Sequence, residues 1–200
     1  MPTSRLTVAG DVAGLAMSST ITREAPSHIA HDIPLPAATT GMLTTRTDDD
    51  EGVVTLADGH GLVNGDVVGV YWSSGRRWAM VVSNVVGNTM TVSLGAGANL
   101  PAQGTALTAQ RATVVDTDFD GSLITLLAAL CAQDATIELL ASGGGDQLVL
   151  ELFAGQLWYW ADAVSVANPL LNKPVVSARM TQGGNSPANV KLGILYDSDG

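Results

Sequence analysis

Residues 53–94 read VVTLADGHGLVNGDVVGVYWSSGRRWAMVVSNVVGNTMTVSL, and this stretch decides the fold class. Four apolar runs, VVTL, VVGVYW, WAMVVSNVV and TMTVSL, alternate with turn signals. The breaks are Asp58-Gly59-His60-Gly61, Asn64-Gly65-Asp66, Ser73-Ser74-Gly75 and Gly87-Asn88. Short runs of β-branched and aromatic residues at this spacing predict an antiparallel meander. Ser73-Ser74-Gly75 and Gly87-Asn88 fall where hairpin turns need Gly or Asn at positive φ. The stretch therefore reads as a β-barrel or small sandwich module, and it contains no catalytic constellation.

Working outward, residues 48–112 form one unit. Asp48-Asp49-Asp50-Glu51 reads as a solvated turn entering it, with acidic metal ligation the lesser alternative. Gly95–Pro101 is a loop, and Thr105–Arg111 (TALTAQR) closes the module as a last strand. Ends that meet near 47 and 112 suit a small β-barrel inserted in a loop of another domain. The flanks, 1–47 and 113–200, then make up a β-sandwich or jelly-roll-like domain.

Residues 1–20 read as an N-terminal arm, extended or strand-like with loose ends. Pro26, Pro34 and Pro36 exclude a helix around His28–Leu35, so 28–35 and 41–47 are predicted strands. Ser122–Gln133 (SLITLLAALCAQ) is the best helix candidate, rich in Leu and Ala, with Ser122 or Asp120 as N-cap. Thr136–Ala141 and Gln147–Phe153 flank the loop Ser142–Asp146 as a hairpin. Leu157–Trp160, Val175–Met180 and Val190–Tyr196 complete the strands. The expected class is all-β, or mainly β, with one short helix.

Of the 200 residues 46% are hydrophobic, enough for a sizeable core, and 14% are charged. Lys173 and Lys191 are the only lysines. A surface so poor in charge must be covered by Ser, Thr, Gly and Asn or hidden against neighbours. The formal charge of −10 argues against a nucleic-acid-binding face, which needs clustered Lys and Arg. The lone cysteine, Cys131, permits no internal disulfide and fits a reducing compartment. No signal peptide and no membrane span are expected.

Asp116-Thr-Asp118-Phe-Asp120-Gly121 matches the first half of a calcium loop. Leu127 stands where a bidentate Glu would close that loop, so Asp116, Asp118 and Asp120 read first as a cap on the following helix, with calcium as the weaker alternative. His28 and His31 fall on opposite faces of a strand, and His60 lies in a glycine turn, a poor zinc set. No GxSxG elbow and no phosphate loop are present. Cys131 reads as inert core. The hairpin tip carrying Trp72, Arg76, Arg77 and Trp78 is the leading candidate for a subunit contact. Trp158, Tyr159 and Trp160 read as core or interface, or as a sugar platform. No cofactor and no enzymatic activity are expected.

Ile29-Ala-His-Asp-Ile-Pro-Leu-Pro36, Gly41–Thr47 and Gly61–Trp72 together resemble tailed-bacteriophage virion structural proteins, and Pro187–Asp197 is similar in texture. That resemblance implies a β-rich building block, present in many copies and without catalysis. The expectation is a capsid cement or decoration protein that bridges capsid subunits. It would be a homo-oligomer, a trimer being favoured, with the major capsid protein or other virion proteins as partners. It would be assembled in the host cytoplasm and found in the virion, with neither nucleic acid nor membrane as a partner. A tail or neck component and a glycan-binding β module are the competing readings.

Overall fold

A computed structural model describes residues 3–12, 15–24, 27–120, 124–141, 146–161 and 174–196. All regular structure in it is β. The strands are β1 (Thr3–Val12), β2 (Leu15–Glu24), β3 (Ser27–Leu35), β4 (Thr39–Arg46), β5 (Gly52–Leu56), β6 (Val67–Trp72), β7 (Gly75–Val86) and β8 (Thr89–Gly97). They continue with β9 (Ala106–Arg111), β10 (Thr113–Asp120), β11 (Ile124–Cys131), β12 (Ala135–Leu140), β13 (Asp146–Leu152), β14 (Leu157–Ala161), β15 (Pro174–Gln182) and β16 (Ala188–Tyr196).

The chain divides into two compact units. One comprises 1–34, 114–180 and 189–200, the other 35–113 and 181–188. The second unit contains a closed barrel in the order β4-β5-β8-β7-β6-β9. Residues 41–47, expected in the flanking domain, belong to this barrel as strand β4. The meander expectation holds for β6-β7-β8 only. β5 does not pair with β6 but lies between β4 and β8, and β9 closes the ring between β6 and β4.

Alternation fills the barrel. Leu43, Val54, Leu56, Val68, Val70, Met80, Val82, Met90, Val92, Leu107 and Ala109 point inward as one core, joined by Leu62 and Leu100 from the loops. Two irregularities bend β7. Ala79 at φ 56 accompanies a register shift against β6, and Asn84 at φ 52 one against β8. Such bulges add twist, which a small barrel needs to close. Gly87 has φ 57 as the first residue of the two-residue turn from β7 to β8, as expected. Gly75 is different. It is a strand residue paired with Trp72, and a Cβ there would stand 2.9 Å from the Trp72 ring.

β6 is buried on both faces, from Val68 to Tyr71. Its outer face, at Gly69 and Tyr71, is covered by the segment 181–188. A Cβ on Gly69 would meet Thr181 Oγ1 at 2.4 Å, and one on Gly183 the Tyr71 ring at 2.6 Å. Tyr71 Oη donates to the Thr181 carbonyl at 3.0 Å and lies 2.8 Å from Thr181 Oγ1. Thr108 Oγ1 donates to the Gly183 carbonyl at 2.8 Å, and the Gln182 backbone N–H donates to Gln110 Oε1. Gln110 and Gln182 both donate to the Pro36 carbonyl. Buried polar groups are tolerated when satisfied in this way.

In the other unit eight strands form two sheets, β10-β15-β12-β13 and β14-β11-β16-β3. Numbered one to eight along the chain, they pair first with eighth, second with seventh, third with sixth and fourth with fifth. The third also pairs with the eighth and the fourth with the seventh. That is the double-sheet jelly-roll pattern, and the barrel lies between its first and second strands in the sequence. β1 and β2 form a separate hairpin with ten matched pairs, from Thr3↔Glu24 to Val12↔Leu15. The arm expected at 1–20 is thus an ordered ribbon.

The predicted helix at Ser122–Gln133 is strand β11. Leu126, Leu127, Ala128 and Ala129 are all inaccessible, and β11 is paired on one side with β14 and on the other with β16. A strand buried on both faces reads as a continuous apolar run, which periodicity alone cannot tell from a buried helix. Here the eight-residue length decides for the strand.

Candidate interaction surfaces

The hairpin joining β6 and β7 turns through Ser73 and Ser74, and the four residues singled out beside it are mostly spent on the barrel itself. Arg76, Arg77 and Trp78 are only 6%, 7% and 8% exposed. β7 is hydrogen-bonded on both sides, so its side chains face the barrel or its covering loops. Arg77 Nε donates to the Leu94 carbonyl at 2.8 Å, Nη1 to Ala98 at 3.2 Å and Nη2 to Gly95 at 3.1 Å. Asp50 lies 3.7 Å from the same guanidinium. The Arg76 guanidinium stacks 5.7 Å from the centre of the Tyr71 ring. The Trp78 ring packs on Gly97, and its indole N–H is buried without a hydrogen-bond partner. Trp72 alone of the four is half-exposed, and it packs against the barrel core. The basic pair that looked like a contact patch is a brace for the loop 94–98.

The second aromatic group lies on β14, an edge strand of its sheet among the described residues. Trp158, Tyr159 and Trp160 stand opposite Ala129, Ala128 and Leu127 of β11. The small alanines leave room for large rings across the ladder. Alternation puts Trp158 and Trp160 on the face shared with Leu127 and Ala129, where Trp160 is buried and Trp158 half-buried. Tyr159 takes the other face and is 55% exposed. The three rings therefore do not form one flat platform for a sugar.

The acidic candidates separate as well. Asp116 is an exposed residue of β10, and Asp118 and Asp120 follow on the same strand. A strand spaces alternate positions about 6.8 Å apart along a line, whereas a calcium loop wraps positions 1, 3 and 5 around one ion. With β11 in place of a helix, the capping role also falls away. Among the described residues no three or more His, Cys, Asp or Glu side chains are grouped to hold a metal.

Asp48–Glu51 is a turn held by its own first residue. Asp48 Oδ1 accepts the backbone N–H groups of Asp50 at 2.9 Å and Glu51 at 2.8 Å, and these bonds hold its carboxyl below the ordinary value of 3.8. Arg46 pairs with Asp49. His60 serves its glycine turn: Nδ1 accepts the Leu62 N–H at 3.0 Å, and Nε2 lies 3.1 Å from the Gly87 carbonyl. His31 Nε2 is buried without a hydrogen-bond partner. Cys131 is buried, and desolvation pushes its thiol up from the ordinary value.

One pair escaped sequence reasoning. Glu138 on β12 and Arg179 on β15 form a buried ion pair within one sheet. Its signal was a lone charge in each of two apolar runs, TIELLA and VVSARM, which is where an opposite charge must be sought.

No family model matches this chain, and no curated protein matches it. Among solved structures, one of the Gx strain of infectious bursal disease virus aligns over 98% of this chain and 70% of the other, with 12% identity and a TM-score of 0.23.

Proposed function

We propose that this chain is a virion structural protein of a tailed bacteriophage, a capsid cement or decoration protein that bridges neighbouring capsid subunits. The observation that carries the reading is the jelly-roll pairing of β3 and β10–β16, an architecture used by viral capsid domains. The resemblance of 29–36, 41–47 and 61–72 to virion proteins supports it independently. The conspicuous side chains support it too: Arg77 braces a loop, and Glu138 is committed to Arg179. The role is then mechanical. A homo-oligomer, a trimer being favoured, engages the major capsid protein and resists the pressure of the packaged genome through many repeated contacts. Lectins also use the jelly roll, but the burial of Trp160 leaves Tyr159 as the exposed ring of its group.

Gold-labelled antibody against the chain, applied to intact purified particles of the phage that carries it, tests the proposal. Label distributed over the head is the expected result. Label confined to the tail or neck would replace cement function with the competing virion role. Particles free of the chain by mass spectrometry would overturn the virion reading altogether.

A further inference from the structure

The β1–β2 hairpin has two strand edges, and among the described residues neither pairs with a third strand. Such edges invite another chain, and a two-stranded ribbon gains stability from an added strand. The register shows which edge suits a second copy. In an antiparallel pair made by a twofold axis normal to the sheet, partners share a face, so position i can meet j′ only when i and j have the same parity. Arg23 and Glu24 on β2 differ in parity, so a β2–β2′ pair never sets one against the other. Arg5 and Asp11 on β1 have the same parity. With Val8 opposite Val8 of the second copy, Arg5 meets Asp11′, Asp11 meets Arg5′, Leu6 meets Gly10′ and Thr7 meets Ala9′. The ribbon carries two arginines (Arg5, Arg23) and two acids (Asp11, Glu24), so it is neutral within a chain of net charge −10. It is thus a segment on which two such acidic chains can approach without repulsion.

We infer that the β1 edge is a self-association site that joins two copies of this chain by antiparallel strand addition centred on Val8, with reciprocal Arg5–Asp11 pairs. This gives a definite contact to the homo-oligomer of the proposed function and rests on the self-association named there. Particle labelling tests the virion role separately.

The test uses the full chain carrying Val8→Cys. Residues opposite each other on neighbouring strands lie within disulfide reach, whereas Ser19 of the two copies would be three strand spacings, about 14 Å, apart. Cys131 is buried and does not compete. Under mild oxidation Val8→Cys is expected to give a disulfide dimer on a non-reducing gel, and Ser19→Cys is not. Light scattering supplies an arm without cysteine chemistry. Arg5→Glu is expected to weaken dimerisation roughly tenfold, because two attractive pairs become repulsive, and Arg5→Glu with Asp11→Arg restores it. No crosslink at Val8, a crosslink at Ser19 as strong as at Val8, or a charge reversal without rescue would overturn the proposal.

Discussion

The carboxylate of Glu138 on β12 meets the guanidinium of Arg179 on β15, with Nε donating to Oε1 at 2.9 Å and Nη2 to Oε2. Glu138 is 1% exposed. A charge so deep is held by its partner more than it holds the fold. Arg179→Ala should therefore cost about 3–5 kcal/mol in denaturant unfolding, because it strands the carboxylate. Arg179→Met combined with Glu138→Leu should recover most of that loss. A single variant as stable as the parent would show that the pair is not desolvated.

Arg77 gives the second prediction. Its guanidinium ties three carbonyls of the loop 94–98 to β7. Arg77→Ala should destabilise the protein by about 2–4 kcal/mol, since hydrogen bonds from a charged group are worth more than neutral ones. Lysine should recover little, because one ammonium cannot reproduce the planar fork. A thermal melt of each variant decides the point. An unchanged melting temperature for Arg77→Ala would return this residue to the role of a surface contact.

The covering of β6 by 181–188 depends on two missing side chains. Gly69→Ala should cost about 1–3 kcal/mol, as overpacked sites do, since its Cβ would stand 2.4 Å from Thr181 Oγ1. Tyr71→Phe should cost about 1–2 kcal/mol by removing the hydroxyl that Thr181 pairs with. The two losses should not add, because both act by loosening the same segment. A double-mutant cycle by urea unfolding measures the coupling, and strict additivity would sink the account.

Acid should destabilise the fold through two carboxylates. Asp48 is held below 3.8 by the N–H groups of Asp50 and Glu51, and Asp32 chiefly by the hydrogen bond from Lys191. In the unfolded chain each binds its proton at a higher pH than in the fold. Their contribution is thus fully present above the unfolded value and is lost as pH falls through the lowered folded values. Melting temperature should drop as pH is taken from about 5 to below 3. Asp48→Asn with Asp32→Asn should flatten that limb, and an unchanged slope would remove these two groups from the explanation.

Cys131 should be silent in the native protein. Its thiol is inaccessible and its ionisation is opposed by burial. A disulfide exchange reagent at pH 8 should report no free thiol until denaturant is added. Rapid reaction in the native state would place β11 at the surface.

The sequence by itself determined what local chemistry controls. Gly87-Asn88 could only be a tight turn, Pro34 and Pro36 forbade a helix, and alternation in Val53–Leu56 and Met90–Val92 set which side chains enter a barrel. Gly75 was misread because its small size serves the Trp72 ring rather than a turn. The tertiary structure decided the rest, and always for a non-local reason. β5 sits beside β8 rather than β6 because register and closure are properties of all six strands together. Ile124–Cys131 became a strand because β14 and β16 offered ladders on both sides, which outweighed the helical preference of Leu and Ala. Arg76 and Arg77 looked like a surface patch until carbonyls from 94–98 and the Tyr71 ring were folded onto them. Burial, unlike a turn, is conferred by residues far away in the chain, and no stretch of sequence states its own neighbours.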